Sequence, residues 1–170
     1  SNTVSIIITC HNEEKFIQEC INSVLNQTAF EIIKEIIVVV DSTTDSSIEI
    51  IKNLSKKNDK IKIFEVAYKS LSKSRNFGIK NSTTNYIAFL DGDDYWSKEK
   101  LENQFLQIEK LDKCYAFIYT NYIDFDDNKK SYKKIQVRSF NNSNNQLKEY
   151  FCKDGPIVPS TILIRSDVFN

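Results

Sequence analysis

The stretch Ile87-Ala88-Phe89-Leu90-Asp91-Gly92-Asp93-Asp94-Tyr95-Trp96 runs four apolar residues straight into three carboxylates within four positions. The apolar quartet reads as a buried strand, and in open α/β sheets the carboxyl ends of the strands are where ligands sit. Clustered carboxylates repel one another and lose hydration at such an edge. The arrangement is therefore expected to hold a hard divalent cation, Mg²⁺ or Mn²⁺, that neutralises it. Gly92 is expected to let the backbone turn tightly, leaving Asp91 and Asp93 free to face a common point. The opposing explanation is an acidic turn that caps the next helix, a role that suits Asp94.

Working outward, Val4 to Cys10 is a short apolar run, followed by Phe16, Ile17, Cys20, Ile21, Val24 and Leu25 at helical spacing. Ile36 to Val40 reads as a second buried strand. A helix over 45–57 follows, with Thr44 or Asp45 as its N-cap. Ile61 to Val66 supplies a third strand, and a helix over 72–81 leads to the strand Tyr86 to Leu90. Beyond the acidic turn, Leu101, Phe105, Ile108 and Leu111 share one face of a helix opening near Ser97. This alternation demands a mostly parallel, doubly wound sheet. After Lys113 the rhythm breaks: Tyr115 to Phe125, the turn 126–129 and Tyr132 to Val137 read as strand, hairpin and strand, where antiparallel pairing enters. Asn141 to Asn145 reads as a loop, Gln146 to Cys152 as a short helix, and Thr161 to Ile164 as a last strand before a helix capped by Ser166 or Asp167. The aromatic residues between Tyr115 and Phe125 are expected in the core.

At 170 residues and 41% hydrophobic content, the chain suits one soluble domain. Lysine plus arginine and aspartate plus glutamate number 23 each, so no charge excess argues for nucleic acid as a partner. The lysines are scattered, as on a solvated face. No apolar run approaches the roughly 20 residues that a membrane span requires; peripheral membrane association stays open. Cys10, Cys20, Cys114 and Cys152 show no CxxC spacing and are expected to be reduced core residues. The chain opens with Ser-Asn and lacks methionine, as an excised segment would. With three glycines and neither GxGxxG nor GxxxxGK[ST], no glycine loop is available to cradle phosphate.

Three more clusters fall where a parallel sheet converges them on the acidic turn: Thr9-Cys10-His11-Asn12-Glu13, Asp41-Ser42-Thr43-Thr44-Asp45 and Lys73-Ser74-Arg75-Asn76. Together they offer a carboxylate for ribose hydroxyls or a base N–H, an aromatic ring for stacking and a guanidinium for an anion or a carbonyl. That inventory suits a nucleoside diphosphate. Each member also has an ordinary structural alternative: a core histidine for His11, a surface ion pair for Arg75 and a helix cap for Asp45.

The opening VSIIITCHNEEKFIQECINSVLNQ, the run IIVVVDSTTD, the segment SKSRNFGI and the turn YIAFLDGDDYW occur in this order and spacing. They resemble the amino-terminal half of glycosyltransferase family 2, over essentially the whole chain. The resemblance implies the GT-A fold, a Rossmann-like three-layer α/β/α sandwich, and transfer of sugar from a nucleotide-activated donor, UDP-sugar foremost, with inversion. It implies a single nucleotide-sugar-binding domain over 1–170, truncated at its carboxyl end, with 1–112 the nucleotide-binding half and 113–170 the start of the acceptor half. Thr9, His11 and Glu13 are placed beside the nucleotide, His11 standing where the family has tyrosine. Asp41 matches the carboxylate that contacts base or ribose, and Arg75 the arginine lying against the nucleotide. Asp91-Gly92-Asp93 matches the DXD motif, with Asp91 toward the ribose and Asp93 holding Mn²⁺ or Mg²⁺. Family habit further implies a saccharide or glycoconjugate acceptor in cell-envelope polysaccharide synthesis, at the cytoplasmic face of the membrane.

Two departures stand out. The second family motif reads Asp-Asp-Gly-Ser-Thr-Asp, whereas here Val40 and Ser42 replace its first Asp and its Gly. The acidic general base of the family has no match here and is expected beyond Asn170, so the segment alone is expected to bind donor and transfer poorly. Two other readings fit part of the pattern. A haloacid-dehalogenase-type phosphatase would use Asp91 as nucleophile, Asp93 as general acid and the pair Asp126-Asp127 for Mg²⁺. The other is a non-catalytic sugar-nucleotide-binding module.

Overall fold

The computed structural model describes residues 2–126, 128–136 and 157–169. Four strand-helix units come first: β1 (Val4–Cys10) and α1 (Ile17–Leu25), β2 (Ile33–Asp41) and α2 (Ser47–Ser55), β3 (Ile61–Val66) and α3 (Leu71–Asn81), β4 (Tyr86–Asp91) and α4 (Lys100–Ile108). Short strands follow: β5 (Phe117–Tyr119), β6 (Tyr122–Asp126), β7 (Ser131–Ile135) and β8 (Ile162–Arg165). The main sheet has the order β3-β2-β1-β4-β8-β5, and β6 pairs with β7 in a separate two-stranded sheet. β1 to β4 are parallel, while β8 runs antiparallel to both β4 and β5.

Strand alternation divides the core unequally. Val4, Ile6, Ile8 and Cys10 of β1 point to one face, with Ile36, Val38 and Val40 of β2 and Ala88 and Leu90 of β4. There they meet the apolar stripes of α1, α2 and α4, among them Ile21, Ile51 and Leu101, all fully buried. The alternate residues Ile7, Ile87 and Phe89 face the other way, onto Ile79 of α3. Strand order explains the division: β1 to β3 step one way across the sheet and β4 returns to the far side of β1. With right-handed crossovers this reversal sends α3 to the opposite face. α3 has a weak apolar stripe and buries Ser74 and Gly78, so it lies close against the sheet. A Cβ at position 78 would overlap Ile7 Cγ2.

The end of β2 also shapes the connection from β3 to α3. The Asp41 carboxylate accepts from the backbone amides of Lys69 (2.9 Å) and Ser70 (3.0 Å) and from the hydroxyls of Ser74 (3.0 Å) and Ser42 (2.9 Å). Burial raises the affinity of this carboxyl for its proton, but the four donors outweigh it and hold the pKa at about 2. Ser70 in turn caps α3, its side chain accepting from Lys73 N.

Several expectations from the sequence change. The acidic turn does not cap a helix directly: α4 opens only at Lys100, and Glu99 at its N-cap makes no side-chain capping bond. α2 starts at Ser47, with Ser46 rather than Thr44 or Asp45 at the N-cap, although Asp45 Oδ1 accepts from Ser47 N at 3.0 Å. The stretch Tyr115 to Phe125 is two strands in different sheets, and Tyr115, Phe117, Ile123 and Phe125 are exposed rather than core. β5 lies at the sheet edge and β6 in a hairpin outside it, so neither is covered by helices on both sides. A 3₁₀ turn at Ser166–Phe169 stands where a helix is expected. Cys10 and Cys20 are buried and free, whereas Cys114 is exposed. Lys100 departs from the solvated-lysine pattern: its Nζ donates to Gln104 Oε1 at 2.6 Å and lies 4.0 Å from the Trp96 ring centroid. Burial pulls its pKa down to about 7. The expected strand end Val137, loop Asn141 to Asn145, helix Gln146 to Cys152 and cysteine Cys152 lie outside the described residues.

Two outcomes follow from this packing. Gly78→Ala is expected to lower unfolding free energy by about 1–2 kcal/mol in urea denaturation, because overlap with Ile7 outweighs the better helix propensity of alanine. Asp41→Ala, which leaves buried donors unpaired, is expected to cost about 2–3 kcal/mol. A pKa lowered by folding gives stability that is present above the ordinary value of 3.8 and is lost as pH falls toward about 2. The wild type should therefore lose stability over that acidic window more steeply than Asp41→Asn when unfolding is followed at a series of pH values.

Candidate nucleotide-sugar site

The alternation that divides the core also assembles the site. Thr9 shares strand parity with Ile7, Asp91 with Ile87 and Phe89, and Asp41 with Ile37 and Val39, so all three project to the α3 side at the carboxyl ends of adjacent strands. Thr9 and Asp91 are register partners, and Thr9 Oγ1 donates to Asp91 Oδ1 at 3.0 Å. On α3, consecutive residues engage the two carboxylates: Ser74 takes Asp41, and Arg75 Nη2 takes Asp91 Oδ1 at 2.7 Å and Oδ2 at 2.9 Å. Arg75 Nε is buried without a hydrogen-bond partner among the described residues.

A cavity of about 950 Å³ opens over these strand ends. Its lining brings together Thr9, His11, Glu13, Asp41 and Asp91 from the sequence-derived set. Arg75 lies outside the lining and reaches the site through Asp91. His11 is exposed, and its Nδ1 stands 2.7 Å from the Asp41 carbonyl oxygen. A carbonyl can only accept, so Nδ1 carries the proton and, in the neutral ring, Nε2 is the acceptor. The Glu13 amide donates to Ser47 Oγ at 2.8 Å, which fixes the turn after β1 against α2. Burial, and then the charges of Asp93 and Asp45, raise the pKa of the Glu13 carboxyl, with His11 pulling the other way. Negative charge thus converges around Glu13.

Within the acidic turn the carboxylates differ. Asp91 is half-buried and committed to Arg75 and Thr9. Asp93 is exposed, lies outside the cavity lining and makes no hydrogen bond or ion pair among the described residues. Asp94 accepts from Ser160 Oγ at 2.5 Å; burial and then Asp93 and Asp91 raise its pKa against that hydrogen bond. Gly92 earns its place by close approach: its amide donates to Thr9 O at 2.9 Å, and a Cβ there would stand 2.9 Å from the same oxygen.

Three non-glycine residues that line the cavity adopt left-handed backbone, Asn12 (φ 56°), Ser42 (φ 54°) and Lys69 (φ 48°). Ser42 occupies the position where the second family motif has glycine, so the turn keeps the glycine conformation without the glycine, at a cost of roughly 1 kcal/mol. Asn12 offsets its own strain by accepting from Thr44 N at 2.8 Å. Lys69 and Ser160 carried no local signal in the sequence; both take part through a backbone amide or a hydroxyl whose partners lie far along the chain.

The phosphatase alternative does not fit this geometry. Asp91 is ion-paired rather than free to act as nucleophile, and Asp126 lies in the separate hairpin, paired with Lys129 at 3.0 Å. Asp127 lies outside the described residues.

The sequence model described as Glycosyl transferase family 2 matches residues 5–170. An uncharacterized glycosyltransferase of Bacillus subtilis (strain 168), EpsJ, is 48% identical over 94 residues, covering 55% of this chain and 27% of that protein. The Escherichia coli protein WfaP, named UDP-Glc:alpha-D-GlcNAc-diphosphoundecaprenol beta-1,3-glucosyltransferase, is 39% identical over 122 residues, covering 70% of this chain and 45% of its own length. Among solved structures, Staphylococcus aureus TarS 1-349 in complex with UDP-GlcNAc aligns with a TM-score of 0.70 at 20% identity, over 98% of this chain and 46% of TarS 1-349. That likeness concerns the fold, and the chain spans less than half the length of each of these proteins. With the family model covering nearly every residue and the GT-A architecture in place, the chain belongs to glycosyl transferase family 2.

Proposed function

We propose that this chain is the donor-binding portion of an inverting glycosyltransferase that takes a UDP-sugar with Mn²⁺ or Mg²⁺ and serves a saccharide or glycoconjugate acceptor of the cell envelope. The observation that carries the reading is the convergence of Thr9, Asp41 and Asp91 from three adjacent strand ends on one cavity, with the exposed carboxylate of Asp93 two residues beyond Asp91. The names of relatives support the donor class: WfaP carries UDP-Glc in its name, and TarS has been solved with UDP and with UDP-GlcNAc. A mannosyltransferase of Pyrobaculum calidifontis with a TM-score of 0.63 was solved with GDP-Man and Mn²⁺, so GDP is the competing base for the titrations below.

The residues present fit a divalent cation of the Mg²⁺ or Mn²⁺ type. No group of three or more His, Cys, Asp or Glu side chains forms a ready metal cage among the described residues. Such a cation is commonly held by one or two carboxylates, with water and substrate phosphates completing its shell. Asp93 would hold it, and Asp91 Oδ2, which accepts from Arg75 alone and keeps a lone pair, would be the second carboxylate oxygen. When bound, the cation supplies positive charge against the negative charge that grows on the departing diphosphate. The chain's own residues do the rest. Arg75 neutralises Asp91 so that the strand end does not repel the nucleotide. Asp41, its lone pairs filled by internal donors, fixes the loop 67–70 that walls the cavity. The exposed His11 ring supplies a face for the base.

Calorimetric titration of UDP, GDP, CDP and dTDP, with and without Mn²⁺, tests this reading. UDP is expected to bind in a metal-dependent manner, and Asp93→Asn to weaken the metal-dependent component by roughly tenfold or more. Absence of binding by every diphosphate in the presence of Mn²⁺ would overturn it.

A further inference from the structure

Ser160 has no motif around it, yet it touches both ends of the acidic turn from 69 residues away along the chain. It lies in the 3₁₀ turn Pro159–Thr161 that feeds β8 and is buried there. Its hydroxyl oxygen accepts from the Asp91 amide at 3.1 Å and donates its own proton to Asp94 Oδ2 at 2.5 Å. Its carbonyl accepts from Trp96 Nε1 at 2.8 Å. The next residue continues the attachment, for Thr161 O accepts from Gln104 Nε2 of α4 at 2.9 Å. The segment from Asp91 to Trp96 is thereby fastened at its start, middle and end to one short turn.

Between these fastenings stand Gly92 and Asp93. Gly92 is fixed on its inner side by its bond to Thr9 O, and Asp94 N closes the turn on Asp91 O at 2.9 Å. Asp93 has no hydrogen bond or ion pair of its own among the described residues. Where its carboxylate stands relative to Asp91 is consequently set by the backbone on either side, and the Ser160 hydroxyl is the one side chain that bonds to both Asp91 and Asp94 among the described residues. We infer that Ser160 is a positioning residue for the donor site. Its hydroxyl sets the spacing of Asp91 and Asp93 by bridging the Asp91 amide and the Asp94 carboxylate, and it makes the metal-binding geometry of the acidic turn depend on the turn that leads into β8. This rests on the donor-site reading above and deepens it.

A residue that orients metal ligands without touching the metal typically affects metal affinity rather than nucleotide contacts. The test is titration of UDP into wild type, Ser160→Ala and Ser160→Thr, each with and without Mn²⁺, with Mn²⁺ electron paramagnetic resonance on the same samples. Ser160→Ala is expected to lose about tenfold in the Mn²⁺-dependent affinity for UDP, leave metal-free UDP affinity unchanged and alter the Mn²⁺ signal of the bound complex. Ser160→Thr, which keeps the hydroxyl, is expected to restore the wild-type signal. Should Ser160→Ala fail to fold, Asp94→Ala removes the other end of the bond and is expected to give the same selective loss, with Asp94→Asn, which keeps an acceptor oxygen, retaining affinity. Equal losses with and without metal, or wild-type affinity in Ser160→Ala, would overturn the inference while leaving the donor-site reading intact. A wild type that binds no diphosphate with Mn²⁺ would remove both.

Discussion

Asp91 is held from three directions, and the arrangement of the site depends on that restraint. Arg75 reaches both carboxylate oxygens from α3, Thr9 donates from the adjacent strand, and Ser160 takes the Asp91 amide from the turn before β8. Each contact alone is modest, since a partly exposed ion pair or a single hydrogen bond is worth on the order of 1 kcal/mol. Their consequence is geometric. The ion pair keeps α3 aligned with the end of β4, and the same helix turn brings Ser74 to Asp41, so the two carboxylates are fixed relative to one another through one rigid element.

The unequal packing of the sheet makes this possible. Three amphipathic helices bury the larger core, which supplies most of the apolar burial, while the opposite face has α3 with Gly78 seated against Ile7. That close seating brings α3 near enough for short side chains such as Ser74 to reach strand-end carboxylates. A helix with a thicker apolar stripe would stand farther off, as helix separation follows the size of the side chains at the contact. Stability is thus concentrated on one face and site geometry on the other.

The acidic turn distributes its charge unevenly. Asp91 is neutralised internally, Asp94 is half-buried against Ser160, and Asp93 stays exposed and unpaired among the described residues. Only one of three neighbouring carboxylates therefore presents itself fully to solvent. Glu13, its proton affinity raised by burial and by Asp93 and Asp45, packs beside Gly92 and adds to the same negative field. Such a field disfavours an anionic ligand arriving alone and favours one that arrives with a cation.

The sequence by itself determined the four strand-helix units, the parallel core of the sheet and the clusters at the strand ends, because buried runs such as Val4 to Cys10 and the helical spacing after them are local signals. It also marked Thr9, His11, Glu13, Asp41, Arg75, Asp91 and Asp93 as a candidate site, of which Thr9, His11, Glu13, Asp41 and Asp91 line one cavity. What it left open depended on contacts between distant residues. β8, far along the chain, inserts between β4 and β5, which splits Tyr115 to Phe125 between two sheets and leaves Tyr115, Phe117 and Phe125 exposed. Lys100 is buried between Trp96 and Gln104 because the remote turn at Ser160 and Thr161 holds both of those side chains in place, and Ser160 meets the acidic turn because β8 pairs with β4. The left-handed backbone at Ser42 and Lys69 likewise goes with amide bonds to remote acceptors, Val66 O and Asp41 Oδ1, rather than with residue preference. Periodicity encodes which face of an element is apolar; only the tertiary structure decided which polar atoms from remote segments would meet, since those meetings carry no local period.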